Sequence, residues 1–318
     1  MDPNNTRTVS ISPHIRDNVS IPKIMVSVIG ALCPAWIAGI YFFGPRAAWL
    51  TLLSIAAAVG MEYGIQKLRK VPISISDGSA VLTGMLLAFN IPPGVSWWIP
   101  VVGSAFAIGI GKQVFGGLGY NPMNPALLGR AFLLASWPVQ MTTRWLVPRG
   151  GTLSGLDGIT SATPLTLLKQ ANKIPDLLSS SYADLFWGRV GGCLGETSVI
   201  MLLIGAAYLI YKGYVDWRMP TGYLGVVIVL SWLFGGASPL FHLLAGGLIL
   251  GAFFMAPDMV TSPITPRGRW IFGIGCGILT VVIRRVGGYP EGVSYSILLM
   301  NLTVPLIDRY TRPKIFGG

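Results

Sequence analysis

Apolar segments separated by short polar breaks run along nearly the whole chain. They fall at roughly Ile24–Phe43, Ala47–Ile65, Ser79–Asn90, Trp97–Ile110, Pro125–Pro138, Glu196–Tyr211, Thr221–Phe234, Leu240–Met255, Trp270–Ile283 and Val293–Ile307. A helix needs about 20 apolar residues to cross a bilayer. The first two segments have that length, and several others are closer to about 12–15 residues. Short segments interrupted by Gly or Pro are the mark of broken helices that meet near the midplane. Their loose backbone ends must face protein, a ligand or a water-filled cavity, never lipid. The pattern therefore predicts an all-α membrane protein of about ten transmembrane helices, some of them half-helices, with one long polar stretch over residues 139–195.

Composition strengthens this reading. Of 318 residues, 52% are apolar and 11% charged. A soluble domain carries about 25% charged residues, so this chain has too few to cover a water-facing surface. The first apolar run is as long as a full span, so no cleavable signal peptide is expected. The net charge of +11 does not point to nucleic acid, because the cations lie between apolar segments and not in one patch. They read instead as loop charges. With ten crossings, one side holds Arg7, Arg16, Lys23, Lys67, Arg69, Lys70, Lys112, Lys212, Arg218, Arg267, Arg269, Arg309, Arg312 and Lys314, against Arg46, Arg284 and Arg285 in the opposite short loops. The positive-inside rule puts both termini in the cytoplasm and 139–195 outside.

A faint internal repeat supports the same plan. Gly116-Gly117-Leu118-Gly119-Tyr120 precedes the fifth segment, and Val286-Gly287-Gly288-Tyr289 precedes the tenth. Phe89-Asn90-Ile91-Pro92 and Phe254-Met255-Ala256-Pro257 each end a segment. Both pairs are offset by about 165–170 residues. A five-span unit repeated once must be inverted in the membrane, because five is odd. The expected organisation is a single membrane domain over 1–318, with a first repeat at 24–138, an extracytoplasmic loop at 139–195 and a second repeat at 196–310.

Candidate chemistry is sparse. Cys33, Cys193 and Cys276 have no CxxC or Cys/His spacing, so no metal site is expected from this chain alone. His242 lies in a span, where a lone His usually packs and hydrogen-bonds, although ionisable groups there are functional candidates. Asp77 precedes the third segment, Asp258 follows the eighth and Glu62 lies late in the second. Carboxylates at the mouths of broken helices suit a hard cation; Asp77 before Gly78-Ser79 equally suits a helix cap. In the outer loop, Thr163 reads as a helix N-cap with Pro164 at the first helical position and Leu165–Gln170 helical. A phosphate ester on the Thr163 hydroxyl would lie at a helix N-terminus, where free N–H groups and the dipole favour an anion. Asn124 before Pro125 reads as another N-cap, and Asn121 stands three residues earlier.

Two runs carry a family resemblance. Asp157-x-x-Thr160-Ser161-Ala162-Thr163 resembles the flavinylation motif, whose last Thr is linked to the phosphate of FMN by a dedicated flavin transferase. The run Gly111-Lys112-Gln113-Val114-Phe115-Gly116-Gly117-Leu118-Gly119-Tyr120-Asn121-Pro122-Met123-Asn124-Pro125-Ala126-Leu127-Leu128-Gly129-Arg130-Ala131-Phe132 is the sharper signature. Together they resemble the RnfD/NqrB family, membrane subunits of ion-pumping electron-transfer complexes, over nearly the whole chain. The short tail before the first span is more like the RnfD members than the longer NqrB proteins.

The resemblance implies covalent FMN on Thr163, with Asp157, Thr160, Ser161, Ala162 and Pro164 around it. It also implies a non-covalent riboflavin beside Asn121 and Asn124; Arg130 on the same half-helix is counted with these cofactor residues, and equally suits pairing with a carboxylate or snorkelling. Asp77 and Asp258 match positions tied to cation passage. The fold implied is two inverted five-helix repeats. The activity implied is electron relay between ferredoxin and NAD branches, coupled to Na⁺ or H⁺ movement, in a bacterial or archaeal cytoplasmic (inner) membrane. The partners implied are the other Rnf subunits, including a second FMN-bearing subunit and iron-sulfur subunits, together with the flavin transferase and the lipid membrane. No dinucleotide fingerprint is present, so the NAD and ferredoxin sites are expected on partners. Two other readings share the fold: a passive channel or solute transporter, and a scaffold without flavin. Neither has a use for the Thr163 motif.

Overall fold

Glycine and proline decide where the first helices start and stop. Helix α1 spans Ile21–Phe43 and carries a proline in its first turn. It ends at Gly44, whose φ of 79° turns the chain directly into α2, Pro45–Leu68. Proline at a helix start costs no hydrogen bond, and positive φ is strain-free only for glycine. The computed structural model of the protein describes residues 19–146, 148, 163–171, 182–196, 198–235, 238–288 and 291–313, with backbone alone at 167 and 169–171.

Every regular element among these residues is a helix. After α2 come α3, Ser79–Phe89, and α4, Trp98–Ile108, which runs on as a π-turn through Gly109–Gln113. Then follow α5, Pro125–Ser136, and three short helices: α6, Pro138–Thr143, α7, Pro164–Ala171, and α8, Tyr182–Trp187. The second half holds α9, Val199–Tyr211, α10, Arg218–Phe234, α11, Pro239–Leu244, and α12, Leu248–Leu250, the last extended by a π-turn over Gly251–Met255. Two long helices close the chain, α13 at Pro266–Val286 and α14 at Val293–Thr311.

Helices α1 and α2 are long and apolar enough to cross a membrane, and only 33% and 28% of their apolar windows are buried inside the molecule. That low burial separates them from the core helices of a soluble protein. The same inversion appears elsewhere. Helix α13 turns Ile271, Ile274, Ile278 and Val282 outward, while Phe272, Cys276 and Thr280 face in. Outward residues at spacings of three and four form one continuous apolar face, which is what lipid demands of a helix surface.

Small residues bring the helices together inside. A Cβ at Gly84 of α3 would lie 2.8 Å from Ile55 Cα of α2, and one at Gly129 of α5 would lie 2.8 Å from the Gly103 carbonyl of α4. Backbones this close gain van der Waals contact that lipid tails cannot supply. Buried hydroxyls add cross-ties: Ser54 Oγ donates to Gly84 O at 2.7 Å and pairs with Ser104 Oγ at 2.8 Å. In the second half Tyr223 OH reaches Thr280 Oγ1 at 2.7 Å and Ser296 Oγ at 3.0 Å. The halves meet where α1 packs on α9 and α5 packs on α14.

Three expectations need correction. The eighth apolar segment, Leu240–Met255, is not one helix: the chain breaks between α11 and α12, where Gly246 takes a φ of 74°. Hydropathy averages over the break because the residues on both sides are apolar. Lys112 and Arg284 are not loop cations, being only 1% and 8% exposed. Each is drawn inward by carboxylate or carbonyl oxygens that only the folded chain assembles. Removing one cation from each side leaves the charge bias between the loops in place.

Candidate functional site

Helix α7 positions the site at Thr163. Thr163 caps it, its Oγ1 accepting from the Thr166 N–H at 3.2 Å and lying 2.7 Å from Thr166 Oγ1. Pro164 follows at the first helical position, as its fixed φ favours. The helix is anchored by Leu165, which is 4% exposed and packs with Leu185, Phe241 and Ala245. The break at Gly246 makes that anchor possible, because a Cβ there would lie 2.6 Å from Leu165 Cδ1. Thr163 itself is 5% exposed. Of the expected flavin-motif residues, Asp157, Thr160, Ser161 and Ala162 lie outside the described residues, while Thr163 and Pro164 lie together at the head of α7.

Thr166 opens onto a cavity of 320 Å³, walled by Leu134, Met141, Trp145 and Tyr295, with Arg130 and Glu291 at its polar end. Its size falls within the range of about 300–1,000 Å³ typical of small-molecule sites, and its few convergent polar groups are equally typical. Arg130 lies on α5, 6% exposed. Its Nη1 donates to Ser294 Oγ at 2.5 Å and to Asn90 Oδ1 at 3.3 Å, and its Nη2 pairs with Glu291. Its Nε–H, itself buried, has no acceptor among the described residues. Glu291 also brings a carboxylate within 4.8 Å of the donor atoms of Cys193 and Glu196.

A second cavity of 80 Å³ is lined by Asn121, Asn124, Asp258, Lys112, Thr83 and Phe254 among others. It brings together three expected residues, of which Asp258 is more than 130 positions from the other two in the chain. Asn124 is the N-cap of α5, its Oδ1 accepting from Ala126 N at 3.0 Å and Leu127 N at 3.3 Å. Its Nδ2 donates to Met255 O at 3.3 Å. Asn121 is tied by Nδ2 to Met123 O at 3.2 Å, and its buried Oδ1 has no partner among the described residues. Asp258 Oδ2 accepts from Thr261 Oγ1 at 3.0 Å. This volume admits water or an ion; a ring system would have to widen it.

Asp77 is separate from that cavity. Its Oδ1 accepts from Ser79 N at 2.7 Å and Ser79 Oγ at 2.5 Å, capping α3. Behind it lies a buried network. Lys112 Nζ reaches both Glu62 oxygens, at 2.7 and 2.8 Å, and Ser79 Oγ at 2.6 Å. Gln113 Nε2 and Gln66 Nε2 also donate to Glu62, at 3.0 and 3.2 Å. Sequence reasoning found Glu62 but not its partner, which is 50 residues away.

Arg284 is missed as well, as is Glu291, the partner of Arg130. Arg284 donates to the carbonyls of His242 at 2.7 Å, Ala245 at 3.1 Å and Glu291 at 3.0 Å. It thereby satisfies the C-terminal end of α11, whose carbonyls have no helical partner. The pairing of Arg284 with Arg285 at the end of an apolar segment gave no local signal that one of the two turns inward.

Known proteins resemble this chain along its whole length. A family model described as NQR2, RnfD, RnfE family matches residues 8–317. The D subunit of the Na(+)-translocating ferredoxin:NAD(+) oxidoreductase complex of Acetobacterium woodii is 52% identical over 314 residues, covering 98% of this chain and 95% of that protein. The D subunit of the proton-translocating ferredoxin:NAD(+) oxidoreductase complex of Clostridium ljungdahlii is 48% identical, covering 98% and 97%. The D subunit of the ion-translocating oxidoreductase complex of Stutzerimonas stutzeri is 44% identical, covering 94% and 92%. With Thr163 capping α7, the Asn121 and Asn124 pair at the head of α5, and these matches end to end, the chain is a membrane protein of the NQR2, RnfD, RnfE family.

Proposed function

We infer that this chain is the D-type membrane component of an ion-translocating ferredoxin:NAD oxidoreductase, and that it carries FMN as a phosphoester on Thr163. One observation carries the flavin reading. The Thr163 hydroxyl stands at the head of α7, and the next helical turn opens, through Thr166, onto the 320 Å³ cavity. The residues fit the group. An ester at Thr163 would set phosphate oxygens against the first N–H groups of α7, of which Pro164 supplies none and Leu165 and Thr166 do. Trp145, Met141 and Tyr295 offer apolar and aromatic walls for a flat ring, and Arg130 in the same lining offers a positive charge. Bound FMN supplies one- and two-electron chemistry. The protein's own part is to bind, orient and set the local charge.

The 80 Å³ cavity, the inner one in the proposed topology, supports the remaining expectations. Asn121 Oδ1 offers an acceptor to a riboflavin ring N–H, and Asp258 an oxygen ligand to a cation; Asp77, held as a cap, has less freedom to serve one. The relatives that name an ion name different ones, Na⁺ and H⁺, so overall similarity does not choose between them.

The architecture we propose is two inverted five-helix repeats spanning an inner membrane, 24–138 and 196–310, about the outer loop 139–195. Three features support it. Asn90 and Met255, at corresponding ends of α3 and of the turn after α12, touch each other at 3.5 Å. Helices α5 and α14 pack together. Both begin at the crossing, one capped by Asn124 and the other preceded by Gly292. Other subunits of the complex, among them a second FMN-bearing subunit and iron-sulfur subunits, would supply the NAD and ferredoxin sites, and the flavin transferase would install the ester.

The test is covalent flavin fluorescence of the denatured gel band, after co-expression with the transferase. The parent chain is expected to fluoresce and Thr163→Val to be dark. A dark parent, with a control substrate of the transferase bright, overturns the proposal.

A further inference from the structure

Arg130 belongs to two structures at once. It lines the 320 Å³ cavity, the outer one in the proposed topology, and its buried Nε has no acceptor among the described residues. It also holds the helix crossing together: Nη1 binds Asn90 Oδ1, the cap of α3, and Ser294 Oγ, the second residue of α14. Asn90 in turn binds Leu86 O at 2.7 Å and Met255 Sδ at 3.5 Å, and the Met255 carbonyl takes Asn124 Nδ2. Leu86 and Asn124 line the inner cavity. An unbroken run of contacts therefore leads from one cavity to the other, and it begins at a charge whose counter-ion, Glu291, lies on the cavity wall.

We propose that Arg130 is a positioning residue that reads negative charge in the outer cavity: an anionic occupant competes with Glu291 for the guanidinium, and the shift is passed through Asn90 to the crossing beside the inner cavity. A buried arginine cannot lose its proton, and its planar fork serves two acceptors in fixed directions. A new negative charge in the cavity beside Arg130 and Glu291 therefore changes how the fork is shared with Glu291, Ser294 and Asn90. A flavin ring that takes up two electrons and one proton gains one negative charge; the electrons come from the complex's own donor, or from dithionite in a titration. The proposal rests on the reading that Thr163 carries FMN.

The experiment uses the whole complex co-expressed with the flavin transferase, carrying Glu291→Gln, Arg130→Gln or Arg130→Lys in this chain. Covalent fluorescence at Thr163 is scored first and is expected to match the parent. In Glu291→Gln the guanidinium has lost its competitor. Its preference for the reduced over the oxidised flavin is expected to rise at least tenfold, about 30 mV for a two-electron couple. Arg130→Gln is expected to move the potential the opposite way, and Arg130→Lys, which keeps the charge, to move it least. Hydrogen exchange over residues 86–91 is expected to differ between oxidised and reduced parent complex, and not in Arg130→Gln. If Arg130→Gln does not assemble, Glu291→Gln and Arg130→Lys carry the comparison. Loaded variants with the parent's potential, or exchange over 86–91 unchanged by reduction in the parent, overturn the proposal. A parent chain with no covalent flavin fails at the first step and overturns the underlying reading instead.

Discussion

Lys112 holds its ammonium within hydrogen-bond distance of both Glu62 oxygens and of Ser79 Oγ, and neither charged side chain is more than 2% exposed. The pair is tolerable in such a place because the carboxylate also finds donors in Gln66 and Gln113. Removing one member leaves an uncompensated buried charge. Lys112→Met is expected to lower stability by about 3–5 kcal/mol, and Lys112→Met with Glu62→Gln to recover most of it. The measurement is the thermal midpoint of the purified protein in detergent; an undiminished loss in the double variant would contradict the account. At this scale the sequence is legible only where the chemistry is local. Thr163 before Pro164 and Asn124 before Pro125 announce their caps, because the donors they satisfy lie within three residues. Lys112 and Arg130 do not announce theirs, since Glu62 and Glu291 lie 50 and 161 positions away.

Among the elements, α7 is held by one side chain in one notch. Gly246→Leu would place a Cβ against Leu165 and force a side chain into positive φ. Leu165→Ala empties the same contact, a change that typically costs about 2–5 kcal/mol when a buried leucine is truncated. Either variant is expected to speed hydrogen exchange of the α7 amides more than tenfold while leaving α13 unchanged; parent-like exchange would show that the helix is anchored elsewhere. The loop between α9 and α10 offers a pH test. Burial pushes the Asp216 carboxyl up, but the Arg218 N–H and the Arg269 and Arg218 guanidiniums outweigh it and hold the group below the ordinary carboxylate value. A depressed folded value stabilises above the unfolded value of about 3.9, and the benefit is lost as pH falls through the lowered one. Asp216→Asn is therefore expected to be less stable than the parent at neutral pH, with the gap closing under acid; a gap independent of pH would contradict the assignment. Helix positions are largely readable from hydropathy because lipid-facing and packing residues are both apolar. For the same reason the break at Gly246-Gly247 is invisible there, the glycine pair being flanked by Leu and Ala on one side and Leu and Ile on the other.

Among the described residues, apolar side chains face outward along the helices, and the buried ion pairs Lys112–Glu62 and Arg130–Glu291 lie inside. A passive channel of this fold would need the helix crossing open, whereas Asn90, Met255, Arg130 and Ser294 fill it. The filled crossing suits a protein that holds a cofactor on one side and a polar cavity on the other. The central claim is that the outer cofactor is FMN esterified to Thr163. Its most direct test is the intact mass of the protein co-expressed with its flavin transferase, followed by peptide mapping, beside Thr163→Val. The account predicts a gain of one FMN less one water in the parent, mapped to the peptide that contains Thr163 and absent from the variant. An unmodified parent, or the same gain retained in Thr163→Val, would contradict it.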